Sequence, residues 1–343
     1  MQQHESNFRA DLAQIGRGFL MGGADVVPGV SGGTVALILG IYQRLVRAIS
    51  SVDLKFLSLI RQGDFPAAAR HVDLRFLITL GCGILCGAIG LARVMRYLLN
   101  HHFGETWSVF FGLILASSIL VAQLVKPWRF ITVVTALAGA AFAFWLVGQL
   151  PQVAPSGYGY VLLCGVIGIS AMILPGISGS FILVLMGKYA DVIGAVSQLT
   201  DGTADRSTFV TLGVFATGCA VGLLAFSKVL RWLLAHYEAA TLAALCGFLV
   251  GSLRKIWPFK EDKTAEFLDV YELPPETVAA IRDNPELVAE HIKVTRRIYV
   301  NVWPAEFDAE VATYLALAVG AMVVVFVLHW IALIRRIAHS RPS

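Results

Sequence analysis

Six long apolar stretches punctuate the chain, at residues of about 76–98, 107–125, 130–150, 208–234, 239–253 and 311–334. A bilayer core is crossed by about 20 apolar residues in a helix. Each stretch approaches that length, so each is expected to span a membrane. Two further apolar regions, about 12–49 and 160–196, are interrupted midway by Pro28-Gly29 and Pro175-Gly176. Their halves, roughly 15–20 residues each, are short for two full crossings but sufficient for a re-entrant hairpin that enters and leaves on one side.

Composition agrees with this pattern. Of 343 residues, 57% are hydrophobic and only 15% are charged, with a mean hydropathy of +0.72. Soluble domains carry about one-quarter charged residues. The net charge of +4 is small and scattered, which argues against a nucleic-acid partner. Cys82, Cys86, Cys164, Cys219 and Cys246 lie inside apolar stretches without ligand-type neighbours, so they are read as packing residues, with no metal and no cofactor expected. Residues 1–11 are polar and show no cleavable signal pattern.

The distribution of basic residues sets a direction, because cytoplasmic loops are rich in Lys and Arg. Arg44, Arg47, Lys55, Arg61, Arg70 and Arg75 mark one cytoplasmic segment, Lys126 and Arg129 a second, and Arg335, Arg336 and Arg341 a cytoplasmic C-terminus. The polar insert 259–310 holds six Lys/Arg against twelve Asp/Glu and is expected outside. Both termini then fall in the cytoplasm. Arg93, Arg96, Arg254 and Lys255 fall on the outer side, against the rule.

The two interrupted regions resemble each other. Pro28, Gly29, Ser31, Gly32, Gly40 and Tyr42 recur as Pro175, Gly176, Ser178, Gly179, Gly187 and Tyr189, at a constant offset of 147. The following spans repeat too: Leu80-Gly81 and Gly90-Leu91 match Leu212-Gly213 and Gly222-Leu223, and Gly112 to Ser117 matches Gly247 to Ser252. Residues 1–155 and 156–335 thus each hold one hairpin and three spans. An odd number of crossings inverts the second copy, so the expected fold is an all-α integral membrane protein with an inverted-topology repeat, the arrangement of many secondary transporters.

The hairpins are also the place for chemistry. Each Pro ends a half-helix, and Ser31 and Ser178 stand where the N-cap of the next belongs. Free backbone N–H groups and hydroxyls around Ser31, Gly32, Gly33, Thr34, Ser178, Gly179 and Ser180 are expected to form an anion site built from two helix ends. Asp25, one turn before Pro28, is a candidate coupling group, since intramembrane carboxylates are costly; its repeat counterpart is Met172. Arg93 and Arg96, which oppose the topology, Lys228, which aligns with Arg96, and Lys188 beside Tyr189 are candidates for gathering an anionic headgroup. Gly29-Val30-Ser31-Gly32-Gly33 matches a hydrolase elbow, but such an elbow needs a preceding strand and a His partner, and the flanks here are helical in character. No catalytic residue is therefore assigned. Trp107, Trp128, Trp232, Trp257 and Trp303 are read as interfacial belt residues.

The segments Ala24 to Thr34, Ala171 to Ser180 and Gly247 to Pro258 closely resemble those of a bacterial polyprenyl-phosphate (undecaprenyl-phosphate) transporter family, the PopT type, formerly catalogued as a domain of unknown function. The resemblance runs from about Gly16 to Arg335. It implies translocation of undecaprenyl phosphate across the bacterial cytoplasmic membrane to recycle the lipid carrier of cell-wall synthesis. The residues by themselves leave two alternatives, a small-anion transporter or channel and a membrane enzyme acting on lipid phosphates.

Overall fold

The computed structural model describes residues 2–26, 31–150, 154–266, 268, 274–284, 287–288, 292 and 297–339. Pro28 and Gly29, which interrupt the first of these regions in the sequence, lie outside the described residues. From the N-terminus run α1 (Gln2–Asp25), α2 (Gly32–Ile38), α3 (Tyr42–Ser50), α4 (Leu54–Arg61), α5 (Phe65–His71), α6 (Leu74–His101), α7 (Phe103–Leu124) and α8 (Phe130–Leu146). They are followed by α9 (Tyr158–Ile173), α10 (Gly179–Leu185), α11 (Tyr189–Thr200), α12 (Arg206–His236) and α13 (Glu238–Ser252). The polar insert then contributes β1 (Lys260–Asp262), α14 (Pro275–Asp283) and β2 (Tyr299–Asn301) before the final α15 (Ala309–His339).

All six predicted stretches are helical. Four helices, α6, α7, α12 and α15 over Ala309–Ile331, are long and apolar enough to cross a bilayer unaided, and α8, α9 and α13 are apolar but shorter. Large apolar side chains on their outward faces are bare, among them Ile89 on α6, Phe130 on α8 and Leu328 on α15. So much uncovered apolar surface suits lipid, not water. The chain is a multi-pass membrane protein.

The interrupted regions are more finely divided than two half-helices apiece. Each has a long first arm, a seven-residue helix and a third helix after a second break. Those second breaks fall at Gly40 and Gly187, whose φ values of 67° and 69° only glycine adopts without strain. At the second of them α10 and α11 bend by 114°.

Lipid tails offer no hydrophobic drive for helix association, so close approach through small residues does that work. α1 packs along α6, and α9 along α12. In the first pair a Cβ at Gly18 would stand 3.0 Å from the Cα of Gly83; in the second, one at Gly165 would stand 2.5 Å from the Phe215 carbonyl oxygen. Gly18 and Gly165 are themselves 147 residues apart. α8 packs along α13 and α15 along α7, and α7 and α13 touch each other, tying the two halves of the chain together. Among the described residues, the insert is where the fold departs from all-helical. Its strands pair antiparallel, Lys260 with Asn301 and Asp262 with Tyr299, beside a small core of Leu268, Ile281, Val288 and Ile292.

Candidate functional site: a cationic cavity over the broken helices

The two interrupted regions meet inside the protein. Ser31 caps α2 as predicted, its Oγ accepting from the Gly33 N–H at 3.1 Å while donating to the Met172 carbonyl at 3.1 Å. The Gly32 N–H donates to Asp25 Oδ1 at 2.6 Å, so that carboxylate closes the N-terminal end of α2. Thr34 Oγ1 accepts from the N–H of Gly176, which sits at φ 86° in the second Pro-Gly turn. Ser178 departs from expectation: it stands at the N-cap of α10 without capping it, and its hydroxyl pairs with Ser180 Oγ at 2.7 Å. The donors around Ser31, Gly32, Gly33 and Thr34 are thus largely spent within the protein, whereas Ser180 faces a cavity.

That cavity has a volume of about 570 Å³. Asp25, Val26, Ser180, Phe181 and Tyr189 line it from the interrupted regions; Leu99, Phe103 and Trp107 line it from the α6–α7 junction. Four cations surround it, Arg254 and Lys255 just past α13, and Lys260 and Arg297 from the insert. Lys255 Nζ lies 4.5 Å from the Phe181 ring centroid, and Lys260 Nζ 4.9 Å from that of Trp107. Cations over aromatic faces are attracted to the ring quadrupole. Lys260 also donates to the Lys255 carbonyl at 2.5 Å. Arg254 donates to the Phe144 carbonyl, and Arg297 reaches Asp262 at 3.5 Å.

Neither Lys255 nor Lys260 has a carboxylate partner among the described residues. Burial pulls Lys255 down to about 8, and burial together with the neighbouring Lys255 charge pulls Lys260 down to about 7. Two half-buried, uncompensated ammonium groups are costly to a fold. Such a cost is characteristic of a binding site whose counter-charge arrives with the ligand. The Trp107 indole N–H is likewise buried, with no hydrogen-bond partner among the described residues. This tryptophan, read from sequence as a belt residue, is only 5% exposed and belongs to the cavity wall, while Trp303 is 82% exposed.

The remaining predicted cations stand elsewhere. Arg93 and Arg96 on α6 and Lys228 on α12 are exposed and do not line the cavity. Lys188 pairs with Asp191 at 2.6 Å and borders a second cavity, of about 520 Å³, between α9, α11 and α12. The sequence did carry a sign of Arg254 and Lys255, since both break the positive-inside pattern. Nothing local marked Lys260 or Arg297, because the ribbon that delivers them joins positions some forty residues apart.

A multi-pass helical protein with broken helices beneath a cation-lined, partly apolar cavity has the build of a membrane carrier of anions. The chain belongs to the undecaprenyl phosphate translocase-like family, whose model matches residues 21–269. It is 43% identical over 245 residues to a polyprenyl-phosphate transporter of Vibrio cholerae, covering 71% of this chain and 77% of that one. It is 32% identical over 260 residues to a polyprenyl-phosphate transporter of Staphylococcus aureus, covering 71% of this chain and 84% of the relative. No solved structure matches the chain.

Proposed function

We propose that this protein translocates polyprenyl phosphate, undecaprenyl phosphate in particular, across the bacterial cytoplasmic membrane and so returns the lipid carrier for cell-wall synthesis. The observation that carries the proposal is the pair of uncompensated lysines, Lys255 and Lys260, over a cavity that also presents Phe181, Phe103 and Leu99. A phosphate monoester bears nearly two charges at neutral pH; the isoprenoid behind it needs an apolar surface. An inorganic anion has no use for such a surface, which favours the lipid over a small ion.

In this proposal Lys255, Lys260, Arg254 and Arg297 neutralise the headgroup, and Ser178, Gly179 and Ser180 supply hydroxyl and backbone donors from below. Ser31, Gly32, Gly33 and Thr34 serve the same headgroup when it reaches the other face, and Asp25, at the junction, is the coupling group. Arg93, Arg96, Lys188 and Lys228, away from the main cavity, recruit headgroups from the leaflets. Both termini lie in the cytoplasm, the insert lies outside, and the halves are inverted repeats. The parallel packing of α1 on α6 and α9 on α12 supports that symmetry.

The test is reconstitution into vesicles carrying a labelled polyprenyl phosphate in one leaflet. Protein-dependent relocation of intact lipid, without phosphate release or ionic current, is the expected result. Free phosphate would make the protein an enzyme, and current without lipid movement would make it an ion pathway.

A further inference from the structure

Three hydrogen bonds join the first interrupted region to the end of α9 and the Pro-Gly turn after it, and the symmetric counterparts of two of them, those of Ser31 and Tyr42, are not formed among the described residues; the third has none to form, because Thr34 corresponds to Phe181. Ser31 Oγ donates to the Met172 carbonyl, the Gly176 N–H donates to Thr34 Oγ1, and Tyr42 Oη donates to the Ile173 carbonyl at 3.1 Å. Tyr42 is buried, at 3% exposure. Ile173 is the last residue of α9, where carbonyls lack intrahelical partners, so the tyrosine satisfies a group that the helix leaves free.

Moved by the repeat offset of 147, Tyr42 becomes Tyr189, Ile173 becomes Val26, Ser31 becomes Ser178 and Met172 becomes Asp25. Val26 directly follows α1, so it too stands at the end of a long first arm. Yet Ser178 bonds Ser180, and the Tyr189 hydroxyl has no hydrogen-bond partner among the described residues. Tyr189, Val26 and Asp25 instead all line the 570 Å³ cavity. One set of partners is hydrogen-bonded; the equivalent set, which borders the open cavity, is not bonded among the described residues.

We propose that Tyr42 and Tyr189 are alternate latches of the transport cycle. In the observed state Tyr42 holds the end of α9 and seals the face on which α3, α4 and α5 lie. In the opposite state the Tyr189 hydroxyl donates to the Val26 carbonyl, the cationic cavity closes, and Tyr42 releases Ile173 to open a matching cavity around α2. The proposal rests on the transport function and on the inverted repeat. It adds to them the two side chains whose hydrogen bonds exchange.

The test uses full-length protein in nanodiscs without substrate, with one reporter cysteine for each face. Val184 lines the observed cavity, and Leu37, which is 147 residues earlier and 7% exposed, reports the opposite one. Maleimide labelling is quantified on the peptide that carries each reporter, which separates it from the native cysteines. Phenylalanine at either latch removes one hydroxyl and little else, and one net hydrogen bond corresponds to about a fivefold population change. Tyr42→Phe is expected to raise labelling at Leu37→Cys about fivefold, and Tyr189→Phe to lower it by a similar factor. Labelling at Val184→Cys should fall in Tyr42→Phe.

Shifts of the same sign in the two variants, or changes below about twofold in both, would overturn the latch. A folding defect would move both variants alike, so the opposite signs keep a merely structural role apart. If the signs are opposite but vesicles show no lipid movement, the latches stand and the substrate assignment falls.

Discussion

The sharpest consequence of the cavity concerns Lys255. Replacing it with Gln removes one ammonium but leaves the backbone carbonyl that Lys260 holds at 2.5 Å. A hydrogen bond to a charged group contributes about 1.5–3 kcal/mol, and 1.4 kcal/mol is a tenfold change in affinity. The simple expectation is therefore a loss of roughly 10- to 100-fold in headgroup binding. Part of that loss is recovered, because Lys260 is held down in part by the Lys255 charge and keeps its proton more firmly once Lys255 is neutral. The net effect of Lys255→Gln should sit near the lower end, about tenfold. Lys260→Gln should behave in the same way. The double variant should lose more than the product of the two singles, since neither lysine is left to compensate. The assay is titration of a short-chain polyprenyl phosphate into protein in uncharged nanodiscs at low salt, with Arg61→Gln, exposed on α4, as a control for net charge. Affinities within about twofold of the parent for both single lysine variants would remove these residues from the headgroup site.

The same lysines predict opposite trends with pH for binding and stability. Their folded pKa values of about 8 and 7 lie below the usual value of about 10.4, so the folded, empty protein binds fewer protons than the unfolded chain between about pH 7 and 10. Its melting temperature should rise across that window while headgroup affinity falls, as scanning calorimetry and titration would show; affinity rising with pH would refute the assignment. At Gly32 an added Cβ would stand 2.5 Å from Asp25 Oδ2, so Gly32→Ala should displace that carboxylate from the α2 N-terminus and cost about 1–3 kcal/mol, read as a lowered denaturation midpoint. Arg96→Ala and Lys228→Ala should each slow uptake from a different leaflet in vesicles loaded on one side. Unimpaired rates from both leaflets would reduce these residues to topology anchors.

Much of the architecture is local in origin and was legible in the residue order. Twenty apolar residues form a membrane helix wherever they fall, because an unpaired backbone group in hydrocarbon is so costly. Ser31 caps α2 because an N-cap needs only a hydroxyl two residues before the N–H it accepts. The offset of 147, a property of the letters alone, marked Gly40 and Gly187 as equivalent before either proved to end a short helix.

What the order could not reveal is which charges share a space. Arg93 and Arg96 stood out because they break a rule of topology, yet they lie on exposed positions of α6 outside the cavity. Lys260 and Arg297 looked like ordinary surface residues of an acidic insert; the β1–β2 pairing carries Lys260 to the Lys255 carbonyl and Arg297 to the cavity rim. Asp25, legible as a costly carboxylate, became the partner of Gly32 only once the chain doubled back on itself. Periodicity and capping act over a few residues and are written into the sequence. The convergence of cations on one cavity depends on non-local strand pairing and helix crossing, which only the tertiary fold supplies.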